Sequence, residues 1–285
     1  MPELFGFDCY SPKEIAERVE NVGVTKASLP VVSMIALGVL AGGFIGLGAM
    51  FFTLVISDAG LSFAVARVLG GVAFSLGLIL VVVAGAELFT GNNLLVMAWV
   101  SRRITLARLL QNLVVVYLAN LIGAAGLAVL VALSGHGQMN DGAVAKTAVA
   151  LATAKCALPF GEAFFKAVLC NVLVCLAVWI AMAGRTVTDK AIAIIFPVAA
   201  FVACGFEHSI ANMYFIPLGI FLDAQAAVTG VAHPAALNWP GLFHNLLPVT
   251  LGNLVGGAVM VGLVYWLIYR RATDAPPTNQ DRPRL

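Results

Sequence analysis

AGAELFTGNN occupies residues 84–93 and CGFEHSIANM occupies residues 204–213. Aligned at an offset of 120 positions, Gly85, Glu87 and Asn92 fall on Gly205, Glu207 and Asn212. A second pair follows in the same order. In NLVVVYLANLIG (112–123) and NLLPVTLGNLVG (245–256), Asn112, Asn120 and Gly123 fall on Asn245, Asn253 and Gly256. Agreement at two places in one order marks an internal duplication. Each first segment also interrupts an apolar stretch with glycine, a carboxylate and an asparagine. Irregular backbone at membrane depth is tolerated only where it is buried in protein or lines a cavity.

Composition says that the solvent is a bilayer. The 285-residue chain is 61% AVILMFWYC and 11% charged. With its 28 glycines it reaches about 71% apolar, against 45–50% for a soluble domain counted the same way. That excludes a soluble globular enzyme, a nucleic-acid binder and a disordered chain. The net charge of +2 is too small to point to a polyanionic partner. No signal peptide is visible, because residues 1–26 carry charges throughout. The five cysteines show no CxxC and read as free thiols, mostly buried, with no disulfide framework and no zinc site.

Outward from the duplicated segments, the sequence predicts an all-α membrane protein with six spans. The first lies within 30–55, the third near 109–133, the fourth near 163–184 and the sixth near 245–269. The second and fifth regions, Arg67 to Ser101 and Lys190 to Leu222, are too long for one straight helix and too short for two spans. Each reads as half-helix, loop, half-helix. Three spans per unit is odd, so the two units are inverted with respect to one another, with the second and fifth spans broken. Twelve of the sixteen Lys and Arg residues fall on one side of this arrangement, which the positive-inside rule makes cytoplasmic, with both termini. The expected organisation is a cytoplasmic amphipathic arm (1–29), a channel domain (30–270) and a disordered tail (271–285). Ser11-Pro12-Lys13-Glu14 opens the arm's helix as a capping box, and that helix lies either on the membrane surface or against its own protein. Gly38, Gly42 and Gly46 permit close helix approach, within one subunit or between subunits.

Ionisable groups at membrane depth are few and are functional candidates by default: Glu87, Glu207 and His208. The two glutamates, with Asn92 and Asn212, read as structural at the helix breaks, where a carboxylate can accept orphan backbone N–H groups. His208 has Leu88 as its repeat counterpart, so it breaks the symmetry. Either it exchanges a proton or donates to an anion, or it is a neutral imidazole satisfied by the backbone. Thr90 is a candidate hydroxyl partner. Half-helix N-termini meeting at mid-membrane favour an anion. Lys155 either raises the local anion concentration or is a snorkelling lysine. The chain holds no HExxH, Walker A, GxSxG or NPA motif, and its four histidines have no ligand spacing, so no metal or cofactor is expected.

AELFTGNN (86–93), FFKAVLCNVLVCLAVW (164–179), FEHSIANM (206–213) and NLLPVTLGN (245–253) together resemble the formate/nitrite transporter family over nearly all of residues 10–271. The resemblance implies an aquaporin-like protomer with a pore through each subunit of a homopentamer. It implies a central Thr at Thr90 and a central His at His208. It also implies an outer-vestibule Lys at Lys155, with Asn171 and Glu207 associated, and hydrophobic constrictions at Phe74, Leu78, Leu88, Val174 and Phe201. Gly91-Asn92, where formate channels of one group have Ser after the Thr, looks more like the nitrite and formate-dehydrogenase-linked branches. The function implied is passage of a small monovalent anion, formate or nitrite, through the inner membrane, with a proton supplied near the vestibule or by His208. The alternatives are a hydrosulfide channel or a proton-coupled alternating-access symporter. A membrane-embedded enzyme is disfavoured by the lack of a nucleophile–base pair.

Overall fold

The computed structural model describes residues 9–224 and 235–271. The first eight residues of the arm, His233 and residues 272–285 of the tail therefore lie outside the described residues. All regular structure among the described residues is helical. Five helices are long and apolar enough to cross a bilayer: Val31–Ile56, Phe63–Gly85, Leu106–Leu133, Phe160–Ala181 and Trp239–Tyr269. A membrane protein follows from that content.

In chain order, α1 (Pro12–Ala27) precedes α2 (Val31–Ile56). Helix α3 (Phe63–Ile79) continues as a π turn over Leu80–Gly85, and α4 (Phe89–Asn92) and α5 (Val96–Val100) follow the break. Next come α6 (Leu106–Leu133), α7 (Ala143–Cys156) and α8 (Phe160–Ala181). Then α9 (Val187–Ala203), a break, and α10 (Ser209–Ala224) lead to α11 (Trp239–Leu254). That last helix runs through a π segment, Val255–Leu263, into α12 (Val264–Tyr269). Helix α2 packs on α3 and α6, α8 packs on α9 and α11, and α3 meets α9 between them.

The second region departs from two half-helices. Its first piece, Phe63–Gly85, has 23 residues and starts four residues before Arg67. The fifth region does divide as expected, into helices of 17 and 16 residues. Each is about 25 Å long at 1.5 Å per residue, short of a hydrocarbon core of about 30 Å.

Both breaks use the same backbone device. Gly85 and Gly205 sit at φ +85° and +71°, where a Cβ is penalised. The next residue of each closes an i→i−5 bond: Ala86 N–H to the Val81 carbonyl and Phe206 N–H to the Phe201 carbonyl, both at 3.0 Å. The glycine stripe of α2 is spent inside the chain. A Cβ at Gly42 would meet the Asn120 backbone, and one at Gly123 would meet the Val39 backbone, so α2 and α6 touch main chain to main chain. Helix α1 lies against its own protein, with Ile15, Ala16 and Val19 buried among Leu94, Met97, Trp179 and Val261. Its Ser11–Glu14 capping box is formed.

Candidate functional site

The site is built where the two breaks meet. Beyond each break a helix restarts with unpaired N–H groups. An asparagine from a distant helix covers the first of them. Asn120 Oδ1 accepts from Phe89 N–H at 3.0 Å, and its amide donates to the carbonyls of Gly38 (2.7 Å) and Glu87 (2.9 Å). Asn253 repeats this on Ser209 N–H (2.9 Å) and on the carbonyls of Ala167 (2.9 Å) and Glu207 (3.0 Å). The expectation that Glu87 and Glu207 accept orphan backbone N–H groups is thereby corrected, since amide side chains do that work.

Each glutamate instead closes a ring of side chains. Glu87 Oε1 pairs with Lys26 Nζ at 3.0 Å, and its Oε2 accepts from the Asn92 amide at 2.7 Å. Asn92 also donates to Asn112 Oδ1 (2.8 Å), and Asn112 donates to the Lys26 carbonyl (3.2 Å). In the other half Glu207 Oε1 pairs with Lys155 Nζ at 2.7 Å, and its Oε2 accepts from the Asn212 amide at 2.6 Å. Asn212 donates to Asn245 Oδ1 (2.7 Å), and the Asn245 amide N–H donates to the Lys155 carbonyl (2.9 Å). The halves differ in that Lys26 also reaches Asn92 Oδ1 at 2.8 Å, whereas Asn212 Oδ1 is buried without a partner, and in that Asn112 also donates to Met34 Sδ at 3.6 Å.

Lys26 was missed from the sequence, where it reads as a positive-inside anchor ahead of the first span. The signal was present. KASLP (26–30) recurs as KCALP (155–159), extending the duplication to α1–α2 and α7–α8. Lys155 is correspondingly not a bare vestibule charge, since Glu207 matches it.

Between the two rings, Thr90 Oγ1 and His208 Nε2 are 2.9 Å apart, both fully or nearly fully buried. His208 Nδ1 accepts the Ala211 N–H at 3.1 Å, so the imidazole is the N-cap of α10. An accepting Nδ1 places the proton of the neutral ring on Nε2. Nε2–H therefore donates to Thr90, whose own O–H is left to donate elsewhere. Asn171 sits behind this pair, donating to the carbonyls of Thr90 (3.3 Å) and Asn253 (2.7 Å).

A cavity adjoins each ring. One, of about 460 Å³, is lined by Lys26, Glu87 and Asn92 together with Leu37, Leu78 and Leu88. The other, of about 210 Å³, is lined by Lys155 and Glu207 with Phe52, Phe74, Arg67 and Phe201. Leu37 and Phe52 lie on one helix, about 22 Å apart along its axis, so the cavities open toward opposite ends of α2. On α3 their walls are one turn apart, at Phe74 and Leu78. Thr90 and His208 line neither cavity. Phe201 is stacked 6.0 Å from the His208 ring and packs edge-on to Phe74 at 5.8 Å on one side. Leu88, next but one to Thr90, is the wall on the other. Val174 is buried and lines neither cavity; Val178, one turn on, lines the larger. Among the described residues no group of His, Cys, Asp and Glu is placed to hold a metal.

Comparison with known proteins finds relatives of the whole chain. The sequence profile described as formate/nitrite transporter matches residues 13–267. The chain is 40% identical over 279 residues to the formate channel FocA of Escherichia coli strain K12, covering 94% of this chain and 97% of that one. Its structure is similar to a pentameric formate channel with formate bound, with TM-score 0.77, 40% identity, and coverage of 84% of this chain and 97% of the other. It is likewise similar to an ion channel described as of the FNT family, with TM-score 0.79, 32% identity, and coverage of 90% and 98%. The fold, the matched profile and the full-length relatives together place this chain in the formate/nitrite transporter family.

Proposed function

We propose that this chain is a pore for small monovalent anions, formate first and nitrite second, with passage linked to a proton. The observation that carries the reading is the Thr90–His208 pair, enclosed between the apolar wall of Phe74 and Phe201 and that of Leu78 and Leu88. The architecture that goes with it is six spans in an inverted three-plus-three, aquaporin-like arrangement. The paired Lys–Glu–Asn–Asn rings support an inverted repeat. The channel unit is residues 30–270, the arm and tail are cytoplasmic, and five copies assemble in the inner membrane, as the pentameric relative does.

A bare anion pays heavily to leave water for an apolar passage, whereas the neutral acid does not. The anion therefore takes up a proton before the walls and gives it up beyond them. Of the two proton sources, the vestibule is favoured, because a second proton on His208 must displace the Ala211 N–H from Nδ1. The neutral ring and the Thr90 hydroxyl then serve as donors, holding the acid's oxygens between the walls. Asn171, Glu87, Glu207 and the asparagines of the rings hold the two breaks still.

The test is uptake of formate, nitrite and hydrosulfide into phosphatidylcholine proteoliposomes, with and without an imposed pH gradient. Uptake of formate accelerated by an inward proton gradient is expected, and His208→Phe, which removes a donor to the neutral acid, is expected to lower formate flux severalfold while the assembly persists. A mutant whose formate flux equals that of the unaltered protein across pH 5 to 8 removes the central pair from the mechanism.

A further inference from the structure

The cavity beside Lys155 holds three cations, and two of them are already matched. Lys155 is paired with Glu207 at 2.7 Å, and Lys166 with Glu162 at 2.6 Å. Arg67 is the third, and among the described residues no carboxylate lies within ion-pair distance of it. Its guanidinium is fixed by backbone alone. Nε donates to the Ala203 carbonyl (3.0 Å) and one Nη to the Val202 carbonyl (2.6 Å), both at the C-terminal end of α9. That fork uses two of five N–H donors and leaves three without a protein partner. The charge is also positioned. Its carbon lies 5.8 Å from the centre of the Phe52 ring, and a Cβ on Gly205 would stand 3.2 Å from its Nη2.

The opposite cavity has no such residue. Its lining includes one cation, Lys26, and that cation is matched by Glu87. The repeat position of Arg67, at the offset of 120, is Val187. The two ends of the passage are therefore alike in their rings and unlike in free charge.

We infer that Arg67 is the anion-capturing residue of the smaller cavity. It takes a small monovalent carboxylate or oxyanion on its spare guanidinium N–H groups, and Lys155 serves instead as a brace for the broken fifth span. This rests on the anion-pore reading and adds to it where the anion is first held and at which end. A cation with no carboxylate partner is available to an incoming anion, whereas Lys155 is already matched by Glu207.

The experiment is initial formate uptake against concentration in phosphatidylcholine proteoliposomes carrying the unaltered protein, Arg67→Gln or Arg67→Lys. Arg67→Gln is expected to raise the half-saturating concentration roughly three- to tenfold, the scale of one partly exposed charge contact. It is also expected to remove most of the salt dependence of that concentration. Arg67→Lys, which keeps the charge but not the two-carbonyl fork, is expected to stay within about twofold of the unaltered protein and to keep the salt dependence. If Arg67 only caps α9, both variants shift together and the unaltered protein shows no salt dependence; that result overturns the inference. Should Arg67→Gln fail to assemble, Arg67→Lys and the salt titration of the unaltered protein decide alone. Flux in the unaltered protein with an unchanged half-saturation in Arg67→Gln overturns this inference only. No flux of any anion overturns the transport reading and the inference with it.

Discussion

Asn253 is buried and makes one accepted and two donated bonds, to Ser209, Ala167 and Glu207. Removing its amide leaves an N–H and two carbonyls without partners in a region with no water to replace them. Asn253→Ala is therefore expected to cost about 2–4 kcal/mol, with Asn120→Ala close to it because its three bonds are equivalent. Asn253→Asp keeps the acceptor for Ser209 N–H but sets a carboxylate against the Ala167 and Glu207 carbonyls, so it is expected to fall below the alanine variant. Thermal unfolding of the purified protein in detergent orders the three, and an Asn253→Ala midpoint equal to that of the unaltered protein counts against the account. At this scale much was legible. The spacing that aligns Glu87 and Asn92 with Glu207 and Asn212 marks two residues that turn out to be bonded in each half. The role was not legible: a carboxylate at a helix break has backbone N–H groups nearby, and nothing local says that a distant asparagine takes them. Lys26 was hidden for a related reason, since a lysine just ahead of a span reads as an interfacial anchor until its ring partner is seen.

At the scale of the element, one buried carboxylate of α1 ties its middle to the body. Glu20, at 1% exposure, accepts from Arg103 Nη1 at 3.1 Å and from Arg270 Nε at 2.8 Å, which ties α1 to the turn after α5 and to the end of α12. Glu20→Gln keeps the shape and removes the carboxylate that Arg103 and Arg270 share. Because both arginines are partly solvated, the expected loss is about 1–3 kcal/mol rather than the full cost of a buried unpaired charge. It is read as faster amide exchange over Pro12–Ala27. Unchanged protection there would mean that the apolar face and the Lys26–Glu87 pair suffice to hold the helix. The broken spans show how far periodicity and charge carry a boundary. Arg67 served as the edge of the second region, yet it lies in the second turn of α3. An arginine enters an apolar helix when its guanidinium can reach the carbonyl end of a neighbouring one. The π segments at Leu80–Gly85 and Val255–Leu263 left no mark in the sequence beyond glycine, because an i→i−5 bond requires no residue type.

Across the whole molecule, the two cavities are separated by the buried side chains of Phe74, Leu78, Leu88 and Phe201, and in the proposed pore size selection belongs to these four. Phe201 contributes the larger wall, packed on Phe74 and stacked on His208. Phe201→Ala is expected to raise acetate flux relative to formate flux severalfold in proteoliposomes, since removing a ring deletes more than the volume by which acetate exceeds formate. An unaltered ratio would place the selecting step elsewhere. Membrane residence, the duplicated frame and family membership were all readable from composition and motifs. The matching of Lys155 by Glu207 was not readable from spacing and came only with the family resemblance, because the pair is separated by 52 positions and joins α7 to the break before α10.

The arrangement of the two rings has a consequence for biosynthesis. The first ring and its brace draw only on residues between Lys26 and Asn120, and the second only on residues between Lys155 and Asn253. The half made first can thus neutralise its buried carboxylate while the second is still on the ribosome, and it leaves the insertion machinery without an unmatched charge. The contacts that join the halves, among them Thr90 to His208, Tyr117 to Thr250 and Asn93 to the Asn253 carbonyl, wait until the last long helix has been delivered. The nascent chain therefore closes its passage last, after each half has become safe to release into lipid.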